Sequence, residues 1–170
     1  MTEAMITPHR VDALEWLFDG LLGVQGVVGA VLASQDGLRM SYTHRTRGPA
    51  DKGFDEATAD RLAGVISGLY GLANGVAVLN GGSGRDLRQS MIQHGDWSLF
   101  VVSAGKGVPS EMARGLGVHP TEVEGALGVL TSPHVDEGAV GYEMVQLVKR
   151  MGRHMQAPAR RSDSDTSNGQ

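Results

Sequence analysis

The spacing of apolar residues along the chain predicts where its elements fall. From Val11 to Leu22, the residues Leu14, Leu17, Phe18 and Leu21 share one side of a helix, and Gly23 and Gly26 punctuate its end. Val27-Val28-Gly29-Ala30-Val31-Leu32-Ala33 is continuously apolar, as befits a strand covered on both faces. Gln35-Asp36-Gly37 follows, and Asp-Gly supplies the positive φ values of a tight hairpin. Leu38 to Thr43 alternates Leu38, Met40 and Tyr42 with Arg39, Ser41 and Thr43, the period of a half-buried strand. His44 to Gly53 reads as a loop, Phe54 to Leu79 as a long helix, and Asn80 to Gly84 as a flexible connection. Arg85 to Gln93 alternates imperfectly and its polar remainder suits an edge strand. Past a turn at His94-Gly95-Asp96, Trp97 to Ala104 is the clearest strand, and Ala126 to Thr131 is another. Asp136 to Met155 closes the domain as a helix striped by Val140, Met144, Leu147, Met151 and Met155. Its acidic start and its basic end (Lys149, Arg150, Arg153) suit the helix dipole. Hairpins dominate this order, which predicts a largely antiparallel sheet with helices packed on it.

The long helix poses the main question. Leu62, Ile66, Leu69, Ala73 and Val76 form its apolar stripe, expected to face the core. Gly64, Gly68, Gly71 and Gly75 also keep helical spacing and, at about 100° per residue, fall nearly opposite that stripe. Each mid-helix glycine costs roughly 1 kcal/mol against alanine, so the row costs about 4 kcal/mol. A surface that needs the helix backbone to come very close would offset that cost, and the simplest neighbour is another chain.

Composition narrows the function. The 170 residues suffice for one domain with a real core, and 41% hydrophobic with 20% charged residues is ordinary for a globular protein. The net charge of −4 argues against broad nucleic-acid binding and against an anionic membrane surface. There is no cysteine, hence no disulfide and no thiolate nucleophile or metal ligand, which fits a cytoplasmic location. Met1 to Arg10 lacks the apolar core of a signal peptide, and no apolar run approaches the roughly 20 residues of a membrane span. Catalytic motifs are missing. Gly105-Lys106-Gly107 has neither the earlier glycine nor the following Ser or Thr of a phosphate loop. Gly81-Gly82-Ser83-Gly84-Arg85 lacks the second glycine of a nucleophile elbow. His9, His44, His94, His119, His134 and His154 show no metal-ligand spacing. No catalytic, cofactor or metal residue is therefore expected. A small-molecule sensor is disfavoured because no convergent polar cluster is visible.

Residues 110–127 have a helix-turn-helix cadence in their Ala, Leu-Gly-Val, Thr-x-Val and Ala-Leu positions. A DNA-binding regulator is the competing reading. Its second helix would carry Glu122 and Glu124 and no Lys or Arg, which repels phosphate.

Taken in order, several stretches resemble the roadblock/LC7 family. They are Leu14-Glu15-Trp16-Leu17, Ser34-Gln35-Asp36-Gly37-Leu38, Ala63-Gly64-Val65-Ile66-Ser67-Gly68-Leu69 and Leu72-Ala73-Asn74-Gly75, followed by Leu99 to Ala104 and Gly138-Ala139-Val140-Gly141-Tyr142-Glu143-Met144. The resemblance covers about Val11 to Met151 and is greatest to roadblock proteins of actinobacterial conserved operons, which accompany a Ras-like small GTPase and a sensor-kinase-like protein. It implies an α/β (α+β) fold, a five-stranded mainly antiparallel sheet flanked by helices, of profilin-like architecture. It implies a domain over 9–155 with an insertion at 108–124 before the last strand; the chain's own composition predicts a flexible N-terminus at 1–8 and a disordered tail, rich in Ala, Pro, Arg, Ser, Asp and Asn, at 156–170. The resemblance also implies a homodimer built on the long helix and the third strand, through Gly64, Ser67, Gly68, Gly71, Asn74, Gly75, Arg88, Ser90 and Ile92. The expected function is non-enzymatic: a scaffold that binds a Ras-like small GTPase and modulates its nucleotide cycle, without nucleic acid and without membrane insertion.

Overall fold

Five strands and three helices make up the described part of the computed structural model, which covers residues 16–45, 54–79, 81–82, 87–106 and 124–156. In chain order they are α1 (Asp19–Gly23), β1 (Val27–Ser34), β2 (Arg39–His44), α2 (Glu56–Leu79), β3 (Ser90–Gln93), β4 (Ser98–Lys106), β5 (Glu124–Thr131) and α3 (Glu137–Gln156). The strands form one sheet in the order β2-β1-β5-β4-β3, and every neighbouring pair is antiparallel. The last strand in sequence, β5, thus sits in the middle. β1 lies between β2 and β5 and is covered on both faces, which accounts for its unbroken apolar run. Gly37 takes the positive φ, +88°, that the hairpin between β1 and β2 requires.

The sheet carries a helix layer on each face. On one side Leu17, Phe18 and Leu21 around α1 join Val140, Met144, Leu147 and Met151 of α3 over Ala30, Leu32, Phe100 and Leu127. On the other, Ala59, Ala63, Ile66 and Tyr70 of α2 cover Val31, Ala33, Leu99, Val101 and Ala126. Full burial of a large apolar side chain contributes roughly 1.5–3 kcal/mol, so these two clusters hold the three layers together. α2 lies very close to the sheet at Gly128, where a β-carbon would stand 2.2 Å from Ile66 Cδ1.

Several expectations need correction. Val76 does not join the core-facing stripe of α2; it is 66% exposed, and Tyr70 takes the buried position instead. The third strand begins at Ser90, and residues 87–89 are not strand. The first helix is regular only from Asp19, and residues 11–15 lie outside the described part. α2 overturns the expectation that no run reaches bilayer length: with 24 residues and a window of mean hydropathy 1.7, it is long and apolar enough to cross a membrane. The second helix of the helix-turn-helix cadence is contradicted at its end, because Glu124 to Leu127 form the start of central strand β5. Residues 110–123, the rest of that cadence and most of the expected insertion, lie outside the described residues, as do 1–15 and 157–170.

Candidate protein-interaction face

The start of α2 is fixed by polar contacts. Asp55 caps it, accepting from the Thr58 backbone N–H at 2.8 Å and from the Thr58 hydroxyl at 2.6 Å. Those bonds hold the Asp55 carboxyl below its ordinary pKa. Arg39 of β2 donates to Glu56 Oε1 at 2.6 Å and also to Asp60, while its guanidinium lies 4.7 Å from the centre of the Tyr42 ring. Burial pulls the Arg39 pKa down, and the hydrogen bonds and charges of Asp60 and Glu56 more than offset it, leaving the group more basic than usual. Further along the helix, the Ser67 hydroxyl donates to the Gln35 carbonyl of the hairpin. Tyr70 donates to Glu124 Oε1 at 3.1 Å. The face of α2 toward the sheet is thereby set, and so is the face it leaves open.

That open face has no charge from Leu62 to Leu79. Gly64, Gly68, Gly71 and Gly75 lie along it, and a β-carbon at any of them would meet no atom within 4 Å beyond the backbone of its own helical turns. Beside the row runs a ridge of Val65, Leu72, Val76 and Leu79, with Leu72 73% and Leu79 87% exposed. The two features adjoin around the helix, so they form one surface of groove and ridge. Asn74 is half-buried at the edge of this surface, and its Oδ1 is enclosed without a hydrogen-bond partner. The ridge residues were absent from the expected interface. The uncharged run from Leu62 to Leu79, longer than one buried stripe needs, was the available signal.

β3 lies at the end of the sheet opposite β2 and contacts α2. It is an edge strand, paired on one side only, with β4. Ser90 stands opposite Val101 and Ile92 opposite Leu99, both of which belong to the α2-side core, so Ser90 and Ile92 point to the α2 face. Met91 stands opposite Phe100 and points to the α3 face. Arg88, just before the strand, is exposed. The structure places Gly64, Ser67, Gly68, Gly71, Asn74 and Gly75 on the outer side of α2 or at its edge, with Gly64 and Ser67 toward the β1–β2 hairpin, and Arg88, Ser90 and Ile92 on or just before the edge strand at the other end of the sheet. Ser67 is the member already engaged within the chain.

Elsewhere, an open cleft of about 1010 Å³ lies between α1, the β5–α3 connection and α3, lined in part by Arg45, His134, Asp136 and Glu143. Its charges are engaged internally. Arg45 donates to the carbonyls of Leu22 and Val24, Asp136 caps α3 through the Ala139 N–H, and Glu143 lies 3.9 Å from Arg150. Among the described residues no group of three or more His, Asp or Glu could hold a metal ion.

A family model for the roadblock/LC7 domain matches residues 14–108. A crystal structure of a roadblock/LC7 domain from Streptomyces avermitilis is 32% identical, covering 83% of this chain and 96% of that one, with a TM-score of 0.62. The gliding protein MglB from Thermus thermophilus shares the fold at 17% identity, with 84% and 87% covered and a TM-score of 0.60. MglB of Myxococcus xanthus does so at 13% identity, with 85% and 95% covered and a TM-score of 0.57. No curated protein matches in sequence.

Proposed function

The chain belongs to the roadblock/LC7 family, and from that premise we propose that it is a non-enzymatic homodimer that binds a Ras-like small GTPase and modulates its nucleotide cycle in the cytoplasm. The observation that carries this reading is the uncharged outer face of α2 beside the open edge of β3. Contiguous exposed apolar patches mark interaction sites. The glycine row admits a close helix neighbour, and the ridge of Val65, Leu72, Val76 and Leu79 supplies the apolar area to fill the groove of a second copy. A sensor-kinase-like protein in the same complex is part of the proposal.

A membrane role for α2 is disfavoured by its other face. Ala59, Ala63, Ile66 and Tyr70 are buried against the sheet, and moving the helix into lipid would strip that core. A DNA-binding role has lost the end of its second helix to β5. The test is titration of the chain with a Ras-like GTPase from the same host, loaded with GDP or with a non-hydrolysable GTP analogue. The proposal expects saturable binding that depends on the nucleotide. No binding to either form contradicts it.

A further inference from the structure

We propose that Asn80 is a deamidation site held in check by the cap that ends α2, and that its conversion to a carboxylate disables the uncharged face of α2 for pairing. The site stands without the homodimer proposed above; its consequence for pairing rests on that reading.

The chain has three asparagines, Asn74, Asn80 and Asn168, and glycine follows each of them. In Asn-Gly the next backbone nitrogen reaches the side-chain carbonyl carbon most freely, because glycine has no β-carbon and turns easily. The Gly81 nitrogen loses its proton to a base in the solvent and attacks Asn80 Cγ. The bond from Cγ to the side-chain nitrogen breaks and ammonia leaves. Water then opens the cyclic imide to aspartate or isoaspartate, so an uncharged residue becomes an anion.

The attacking nitrogen is the controlled one. The Gly81 N–H donates to the Val78 carbonyl at 3.1 Å and the Gly82 N–H to the Ala77 carbonyl at 3.0 Å, with Gly81 at φ +76°. These are the two bonds and the left-handed glycine of a Schellman cap. While the cap holds, the Gly81 nitrogen is tied to the helix and is not free to turn on Asn80. Little else secures the end of α2 within one chain. The buried residues of α2 stop at Tyr70, and Leu72, Val76, Val78 and Leu79 are exposed. A helix end with so few buried contacts opens locally at small cost, and each opening releases the Gly81 N–H. A second copy seated on those same side chains holds the end closed. Asn74, three turns from neither end but inside the helix, is the comparison that stays bonded. The product carries its negative charge at the C-terminal end of α2, where the helix dipole disfavours an anion, beside the uncharged run from Leu62 to Leu79. Isoaspartate also lengthens the backbone within the cap. Chains without a partner therefore lose their pairing surface first.

The full chain is held at mildly alkaline pH, dilute, concentrated and in urea, and peptide mass spectrometry follows the change from amide to acid at each asparagine over days. Sedimentation fixes the oligomeric state of the native samples. Native Asn80 is expected to react at least several-fold more slowly than in urea, faster than Asn74, and faster again on dilution into the monomer. Gly82→Pro removes one donor of the cap and drives Gly81 toward extended backbone, so it should raise the Asn80 rate several-fold and leave Asn74 unchanged. Native Asn80 reacting as fast as in urea, or Gly82→Pro without effect, overturns the cap as the control. Native Asn80 reacting no faster than Asn74 overturns the site. Asn80→Asp should weaken the dimer several-fold while Asn80→Ser leaves it as in the parent. An Asn80→Asp variant as dimeric as the parent, or a rate blind to dissociation, overturns the link to pairing. A parent that is monomeric at every concentration overturns the homodimer, and the urea and Gly82→Pro comparisons then still decide the site.

Discussion

Gly68→Leu separates what α2 does for its own domain from what it offers a partner. Inside the chain a β-carbon at Gly68 meets nothing within 4 Å beyond the backbone of its own helical turns. Leucine is among the better helix formers, and replacing a mid-helix glycine gains roughly 0.5–1 kcal/mol. For a chain of this length that is a rise in Tm of about 2–4 °C per kcal/mol, read at concentrations where the parent is monomeric. In a dimer with helix axes about 8–10 Å apart, the same leucine has no room. Overpacking costs about 1–3 kcal/mol per side chain, and symmetry introduces two, so the dimer should weaken by about 2–6 kcal/mol, thirty-fold or more. Sedimentation velocity over a concentration series reads the second effect and thermal unfolding the first. The two must move in opposite directions. A variant that sediments as the parent does, with the same concentration dependence, places the glycine row outside the interface and refutes the reasoning.

Other outcomes follow from the interior. Gly128→Ala puts a methyl group 2.2 Å from Ile66 Cδ1 and should cost about 1–3 kcal/mol in thermal unfolding, through displacement of α2 from the sheet. Tyr70→Phe removes the hydroxyl bonded to Glu124 and should cost about 0.5–1.5 kcal/mol with the dimer unchanged; loss of the dimer would mean that Tyr70 serves the interface. Acid unfolding should involve Asp55. Its pKa is lowered from 3.8, first by the Thr58 hydroxyl and then by the Thr58 N–H, so its contribution is present above that value and lost as pH falls through the lower, folded one. Asp55→Asn should flatten this part of the acid transition, and an unchanged acid limb would contradict the assignment of the cap.

The sequence made the layered fold legible because each layer follows a simple period. β1 is buried on both faces and reads as an unbroken apolar run; Val140, Met144, Leu147 and Met151 of α3 are buried on one face and read as a stripe. α2 was harder because it is apolar on both sides. Periodicity located the helix but assigned Val76 to the core and overlooked Tyr70, whose ring is buried while its hydroxyl reaches Glu124. The glycine row was visible, and its openness was not, since only the fold decides which neighbours come near. The shortness of β3 was equally hidden: residues 87–89 continue the polar alternation without joining the ladder. Pairing register and the free backbone groups of an edge depend on a partner strand, and no local pattern in Arg85 to Gln93 encodes them.

The mass of the full chain in solution tests the homodimer most directly. One copy weighs 17.9 kDa. Sedimentation equilibrium should return twice that mass for the chain alone, and Leu72→Glu, which places a charge on the exposed ridge of α2, should return it to a single copy with its folded spectrum intact. A parent chain of 17.9 kDa at every concentration, or a Leu72→Glu variant as dimeric as the parent, contradicts the claim that this face of α2 is where the second copy binds.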